Sequence, residues 1–157
     1  MKKRLCIFAS GSGTNMQAIL DEIDKGNING EVVLLVASSK DIGASKRAKS
    51  RGIAVKEFLL KDFESPVKRD QKILVVLDQY GIDYIILAGY LGILTKELIS
   101  KYPNKIINIH PALLPKYGGK GMYGLNVHKA VIAAHEQYSG ATVHFVDEGT
   151  DSGAIIL

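Results

Sequence analysis

The sequence predicts an α/β protein, a Rossmann-like and mostly parallel sheet with helices on both faces. Short runs such as Leu5–Ala9, Val32–Val36 and Tyr84–Ala88 are apolar at nearly every position. Strands buried on both sides read this way, whereas half-exposed strands alternate. Segments with apolar residues at helical spacing separate these runs, and glycine closes most of them. Strand and helix therefore alternate along the chain, the pattern of a parallel sheet covered on each side. At 157 residues, 46% hydrophobic and 23% charged, the chain is expected to form one domain, residues 1–157, without repeats or linkers.

In chain order, Leu5–Ala9 is the first strand and runs straight into Ser10-Gly11-Ser12-Gly13-Thr14-Asn15. Met16, Ile19, Leu20 and Ile23 then mark a helix that stops at Gly26-Asn27. Val32–Val36 is a second strand, Asp41–Arg51 a helix closing on Gly52, and Ala54–Phe58 a short third strand. Val67–Tyr80 is a longer helix ending at Gly81. Tyr84–Ala88 is the fourth strand and enters Gly89-Tyr90-Leu91-Gly92-Ile93-Leu94. Thr95 is placed to cap a short helix through Lys101. Ile106–Ile109 is the fifth strand. A glycine-rich loop from Lys116 to Gly121 precedes a helix reaching about Gln137, and Ala141–Val146 is a sixth, more alternating strand. The loop Asp147–Gly153 leads to the apolar tip Ala154–Leu157. Because the sequence stops inside a strand-like run, it is expected to be part of a longer protein.

Bulk properties exclude several classes. The one cysteine, Cys6, lies in an apolar run and reads as a small buried thiol, so no intrachain disulfide or paired-cysteine zinc site is expected. The apolar segment after Met1-Lys2-Lys3-Arg4 is too short for a signal peptide, and no later run is long enough to span a bilayer. A cytoplasmic location is the expectation. The net charge of +4 is spread without a basic cluster, so no nucleic-acid partner is indicated. No close set of His, Asp and Glu has metal-ligand spacing, and no metal is expected.

Two constellations point to chemistry. The loop Ser10–Asn15 sits between a strand and a helix, where free backbone N–H groups and the helix dipole favour an anion. It lacks the third glycine of a dinucleotide fingerprint, Met16 standing there, and it has no P-loop lysine. It reads as a monophosphate site, with a tight turn of small residues as the alternative. The second constellation is Asn108-Ile109-His110-Pro111. Residues two apart on a strand share a face, so the Asn108 amide and the His110 imidazole project together at a carboxyl end, where open α/β sheets bind ligands. An amide N–H can hold an oxyanion while an imidazolium supplies or relays a proton. A carboxylate to orient the imidazole is expected from Asp147–Gly153, with Asp151 better placed than Asp147 or Glu148, which read as solvent-facing or turn-capping. His128 and His135, in the predicted fifth helix, and His144, in the last strand, read as structural.

Taken together, Ser10-Gly11-Ser12-Gly13-Thr14-Asn15, Leu87-Ala88-Gly89-Tyr90, Asn108 to Pro115, Gly140 to Val146 and Asp151 to Leu157 resemble, in this order, the phosphoribosylglycinamide formyltransferases of the formyltransferase superfamily. Asn-x-His-Pro with a later Asp-x-Gly is shared across the superfamily, and the opening Gly-Ser-Gly-Thr-Asn loop narrows the resemblance to the glycinamide enzyme. The resemblance implies transfer of a formyl group from 10-formyltetrahydrofolate, the co-substrate, to the amine of phosphoribosylglycinamide in purine synthesis. It implies a catalytic trio of Asn108, His110 and Asp151, and a phosphate loop of Gly13, Thr14 and Asn15. It implies folate contacts, largely through backbone, from Leu91, Gly92, Ile93 and Leu94 and from Asp147, Glu148, Gly149, Thr150 and Asp151, with Asn108 beside them. A monomer or homodimer is expected.

Three departures from the family pattern stand out. Gly92 stands where some relatives have arginine. Pro66 stands where an arginine often contacts folate, and Lys68 or Arg69 is the expected substitute. Relatives also continue beyond the Asp-x-Gly strand with segments that contact the substrate phosphate, so these 157 residues alone are expected to bind substrate weakly or be inactive. Formyltetrahydrofolate hydrolysis, methionyl-tRNA formyl transfer and a catalytically silent folate- or nucleotide-binding module are the alternatives.

Overall fold

The structure, a computed structural model, describes residues 1–157. Six strands form one sheet: β1 (Lys3–Ala9), β2 (Gly30–Ala37), β3 (Ala54–Glu57), β4 (Tyr84–Leu87), β5 (Ile106–His110) and β6 (Thr142–Phe145). Their spatial order is β3-β2-β1-β4-β5-β6, with every neighbouring pair parallel except β5 and β6. From β1 the chain steps outward to β2 and β3, then returns to the other side of β1 for β4 and β5. The direction of winding therefore reverses between β1 and β4, and ligands bind at the carboxyl ends of strands at such a switch point.

Five helices connect the strands: α1 (Thr14–Asp24), α2 (Gly43–Ser50), α3 (Pro66–Gln79), α4 (Lys96–Lys101) and α5 (Leu125–Ala133). Alternate residues of the central strands enter separate cores. Cys6, Phe8, Leu34, Val36 and Ile85 pack with Ile73 and Leu77 of α3 and Leu98 of α4. Leu5, Ile7, Ala9, Val32 and Leu35 pack with Met16 and Leu20 of α1 and Ala44 and Ala48 of α2. A third, small cluster seats Val127 and Val131 of α5 on Ala112, just past β5. The near-continuous apolar runs follow from this double burial. No helix is long and apolar enough to cross a membrane.

The predicted elements all form, and their ends differ for local reasons. The second helix starts at Gly43 rather than Asp41, because Asp41 has φ 51°, outside the helical region. The fifth ends at Ala133 rather than near Gln137, because His135 has φ 52°; His135 therefore lies beyond the helix. Thr95 occupies the N-cap of α4, but its hydroxyl caps nothing and is buried without a partner. Ser65 is the residue that caps by side chain, accepting from the Lys68 N–H at the start of α3, with Pro66 in the first turn. A one-turn 3-10 segment, Leu60–Asp62, carries no periodic signal. The terminal tip joins the sheet only through a bridge between His144 and Ile155 and a few flanking backbone bonds.

Cys6 is completely buried in β1, and burial pushes its thiol well above the usual range. In the native protein Cys6 should therefore resist a disulfide-exchange reagent at mildly alkaline pH and react stoichiometrically once urea unfolds the chain. Labelling at the native rate of an exposed thiol would contradict this packing.

Candidate active site

Backbone and side-chain bonds join the loops after β1 and β4, and β5 ends on the same edge of the sheet. The glycine loop after β1 is held by α2. The Gly11 carbonyl accepts from Ala44 N–H at 3.0 Å, and the Ser12 carbonyl accepts from Arg47 Nε at 3.0 Å. Gly13 has φ 78°, and a Cβ there would lie 2.7 Å from Ala44 Cα, so only glycine fits. Gly13 also serves as N-cap of α1 without a side-chain cap, which leaves first-turn N–H groups of Thr14 and Asn15 free. A pocket of about 150 Å³ is lined by Gly11 to Asn15 with Ala88 and Gly89.

Ser10 ties this loop to the one after β4. Its N–H donates to the Gly89 carbonyl at 3.2 Å, and its hydroxyl accepts from Leu91 N–H at 2.8 Å and from the Ser38 hydroxyl at 2.7 Å. The segment Leu91–Leu94 is fixed from below by an ion pair on α3. Arg69 and Asp70 are 3% and 0% exposed and 2.7 Å apart. Arg69 Nη2 donates to the Ile93 carbonyl and Asp70 Oδ2 accepts from Thr95 N–H, both at 2.7 Å. Arg69 is thus buried and bonded to Asp70 and the Ile93 carbonyl, whereas Lys68 lies on the exposed side of α3. Gly92 lies against the Tyr90 ring, where a Cβ would come within 2.6 Å. That contact explains why a bulky residue is absent here. The Tyr90 ring in turn packs edge-on against Phe8, and burial raises its hydroxyl pKa. Leu91 and Ile93 are left exposed.

The third segment is the end of β5. His110 is buried, its Nε2 lies 2.7 Å from the Tyr117 carbonyl, and its Nδ1 lies 3.5 Å from Asp151 Oδ2. Both neighbours are acceptors, so an imidazolium would satisfy both contacts at once. Asp151 has φ 56° and also accepts from Gly119 N–H at 3.0 Å. Tyr117 is anchored through its hydroxyl, which donates to Glu136 at 2.9 Å; that bond raises the Tyr117 pKa, and the Lys116 and Tyr117 contacts lower that of Glu136. Asp147 accepts from Gly149 N–H and from the Ser152 hydroxyl, which builds the turn, while Glu148 pairs with Lys96 in solvent. Thr150 and Asp151 line a cavity of about 410 Å³ with Leu114, Pro115, Gly118 and Gly119.

Two residues read from sequence as bland, or not singled out, lie in this site. His144 is the cross-strand partner of Asn108, with its Nε2 3.1 Å from Asn108 Nδ2 and 3.6 Å from Asp151 Oδ1. His144 is buried and hydrogen-bonded, as a structural histidine would be, and its partner is Asn108. Thr142 pairs with His110; its hydroxyl donates to the Ala112 carbonyl at 2.7 Å and accepts from Leu114 N–H at 3.0 Å, fixing the chain just past His110. Strict alternation in β6 puts Thr142 and His144 on one face, a signal that needs the strand pairing to be interpreted. His128, exposed on α5, and His135 take no part in these contacts. No group of three or more His, Cys, Asp or Glu is placed to hold a metal ion.

The chain is thus a doubly wound α/β protein that carries an amide and an imidazole at the end of β5 and a carboxylate in the loop after β6. Residues 3–157 match the formyl transferase family model, and the chain belongs to that family. It is 46% identical over 156 residues to the chloroplastic phosphoribosylglycinamide formyltransferase of Arabidopsis thaliana, an alignment covering 99% of this chain and 53% of that protein. It is 39% identical over 155 residues to the phosphoribosylglycinamide formyltransferase of Haemophilus influenzae, covering 99% of this chain and 71% of that one. The crystal structure of glycinamide ribonucleotide transformylase 1 from Geobacillus kaustophilus superposes with a TM-score of 0.92 at 39% identity, covering 100% of this chain and 81% of that chain. The chain spans about half the length of the plant relatives.

Removing the Asp70 carboxylate leaves Arg69 buried without its partner and frees Thr95 N–H. Asp70→Ala should lower unfolding stability by about 3–5 kcal/mol in urea titration. Gly13→Ala should cost at least about 1 kcal/mol in the same assay, since it adds both a positive-φ penalty and a collision with Ala44.

Proposed function

We propose that the protein transfers the formyl group of 10-formyltetrahydrofolate to the amine of 5-phosphoribosylglycinamide, giving formylglycinamide ribonucleotide for purine synthesis. The observation that supports this reading is Asp151 Oδ2 3.5 Å from the His110 imidazole, with Asn108 on the same strand face, in a sheet whose β1 leads into an uncapped helix start at Gly13, Thr14 and Asn15. Residues 1–157 act in this reading as one formyltransferase domain in the cytoplasm.

The substrate phosphate docks on the N–H groups of Gly13, Thr14 and Asn15, where the α1 dipole favours negative charge. The folate lies against the backbone of Leu91, Gly92, Ile93 and Leu94 and against Asp147, Glu148, Gly149, Thr150 and Asp151, which places its formyl group near Asn108. The glycinamide amine attacks the formyl carbon, and the carbonyl electron pair moves onto oxygen. An N–H of Asn108 hydrogen-bonds that oxyanion, and the imidazolium form of His110, aligned by Asp151 and the Tyr117 carbonyl, stabilises it through its charge. Collapse of the tetrahedral intermediate breaks the bond to the folate N10, which leaves with the proton lost by the amine. The participants are two small molecules, and neither a metal nor a nucleic acid enters the scheme; the protein acts as a monomer or homodimer.

Incubating the complete protein with 10-formyl-5,8-dideazafolate and glycinamide ribonucleotide, and following deformylation of the folate, tests the reading. Turnover that does not require the ribonucleotide would mark a hydrolase, and binding without turnover would mark a silent module. Asn108→Ala should reduce turnover about 10²–10³-fold, the usual effect of deleting one oxyanion donor, and His110→Ala should abolish it.

A further inference from the structure

The geometry points to His144 as a positioning residue that sets the orientation of the Asn108 amide, a role that we infer from its hydrogen bonds and that rests on the formyl-transfer reading above. His144 is 2% exposed on β6 and sits opposite Asn108 in the antiparallel pair. Its Nδ1 lies 2.8 Å from the Phe145 carbonyl oxygen. A carbonyl can only accept, so Nδ1 carries the hydrogen in this contact. In the neutral ring that hydrogen bond leaves Nε2 as a lone pair, aimed at the Asn108 amide 3.1 Å away.

A lone pair at Nε2 selects which end of the amide faces it. The NH₂ group must turn toward His144, because the amide oxygen would meet a second lone pair there. One N–H is spent on Nε2, and the other is held free at the end of β5 together with the His110 imidazole. Without this acceptor, the two ends of a half-buried amide differ little in energy, and the flipped rotamer would present an oxygen to an oxyanion. Asp151 Oδ1, at 3.6 Å, lies beyond hydrogen-bond length from Nε2, so the amide is the stronger partner. The Phe145 carbonyl thus acts on Asn108 at one remove: backbone fixes the tautomer, the tautomer fixes the amide, and the amide faces the reacting oxygen.

Two measurements on the complete protein test this. In ¹⁵N-histidine spectra at neutral pH, His144 should show one protonated and one unprotonated ring nitrogen, and Asn108→Ala should shift the unprotonated one. Two protonated nitrogens, or a resonance indifferent to Asn108→Ala, would overturn the assignment whether or not the protein transfers formyl groups. In kinetics, His144→Phe should lower kcat roughly tenfold or more with little change in either KM, since misaligning an oxyanion donor acts on the transition state. In an Asn108→Ala background the same change should cost less than about twofold, because its target is gone. His144→Gln, which offers a carbonyl acceptor, should recover part of the loss. Fully additive losses would show that His144 only packs the strand. Absence of any transfer by the unmodified protein would fail the proposed function instead, and the nitrogen spectra would still decide the amide orientation.

Discussion

The parallel ladder between β1 and β4 is the constraint on which the rest depends. Leu5 to Phe8 pair in register with Tyr84 to Leu87, and the winding reverses across that seam. Every connection leaving the carboxyl edge of β1, β4 or β5 must then emerge on the same side. The glycine loop, the Leu91–Leu94 segment and the Asn108/His110 strand end become neighbours although more than half the chain separates the first from the last. Ser10 turns that proximity into a physical joint by bonding Gly89, Leu91 and Ser38 at once.

The second organising event is the reversal at β6. A parallel sixth strand would carry its side chains up to the edge in the same sense as β5. Running antiparallel, β6 instead places Thr142 beside His110 and His144 beside Asn108. The loop that follows can then fold Asp151 back between two imidazoles. One carboxylate lies within 3.6 Å of both rings. The neighbouring Arg69–Asp70 pair shows the other use of charge in this protein. Buried beneath the loop after β4, it spends its hydrogen bonds on backbone and so shapes a surface it never reaches.

The sheet was legible in the sequence because strands buried on both faces have no room for polar residues, and the runs at Leu5, Val32, Tyr84 and Ile106 record that directly. Helix ends were less legible. Asp41 and His135 leave the helical region through positive φ, a conformation in which Asp and His are enriched but which they adopt in only a minority of positions. Thr95 looked like a cap, yet its backbone N–H rather than its hydroxyl finds the partner. Arg69 looked available for a ligand because the charge of its neighbour is visible in sequence and the burial of both is not.

For the candidate site, sequence alone determined the residue types and their local phase. Asn108 and His110 share a strand face by their spacing, and the Ser10–Asn15 glycine loop lies between a strand and a helix. It also placed Asp151, flanked by the small residues Thr150 and Ser152, after the last strand. Only the tertiary structure decided which strand lies beside β5, in which direction and in what register. His144 shows the difference: within its own strand it is an ordinary buried histidine, and its neighbours on either side are Val143 and Phe145. Its contact with Asn108 exists because two strands 36 residues apart pair antiparallel at that one position. Spacing along a strand is a local property of the backbone, whereas partnership across strands is a property of the folded sheet.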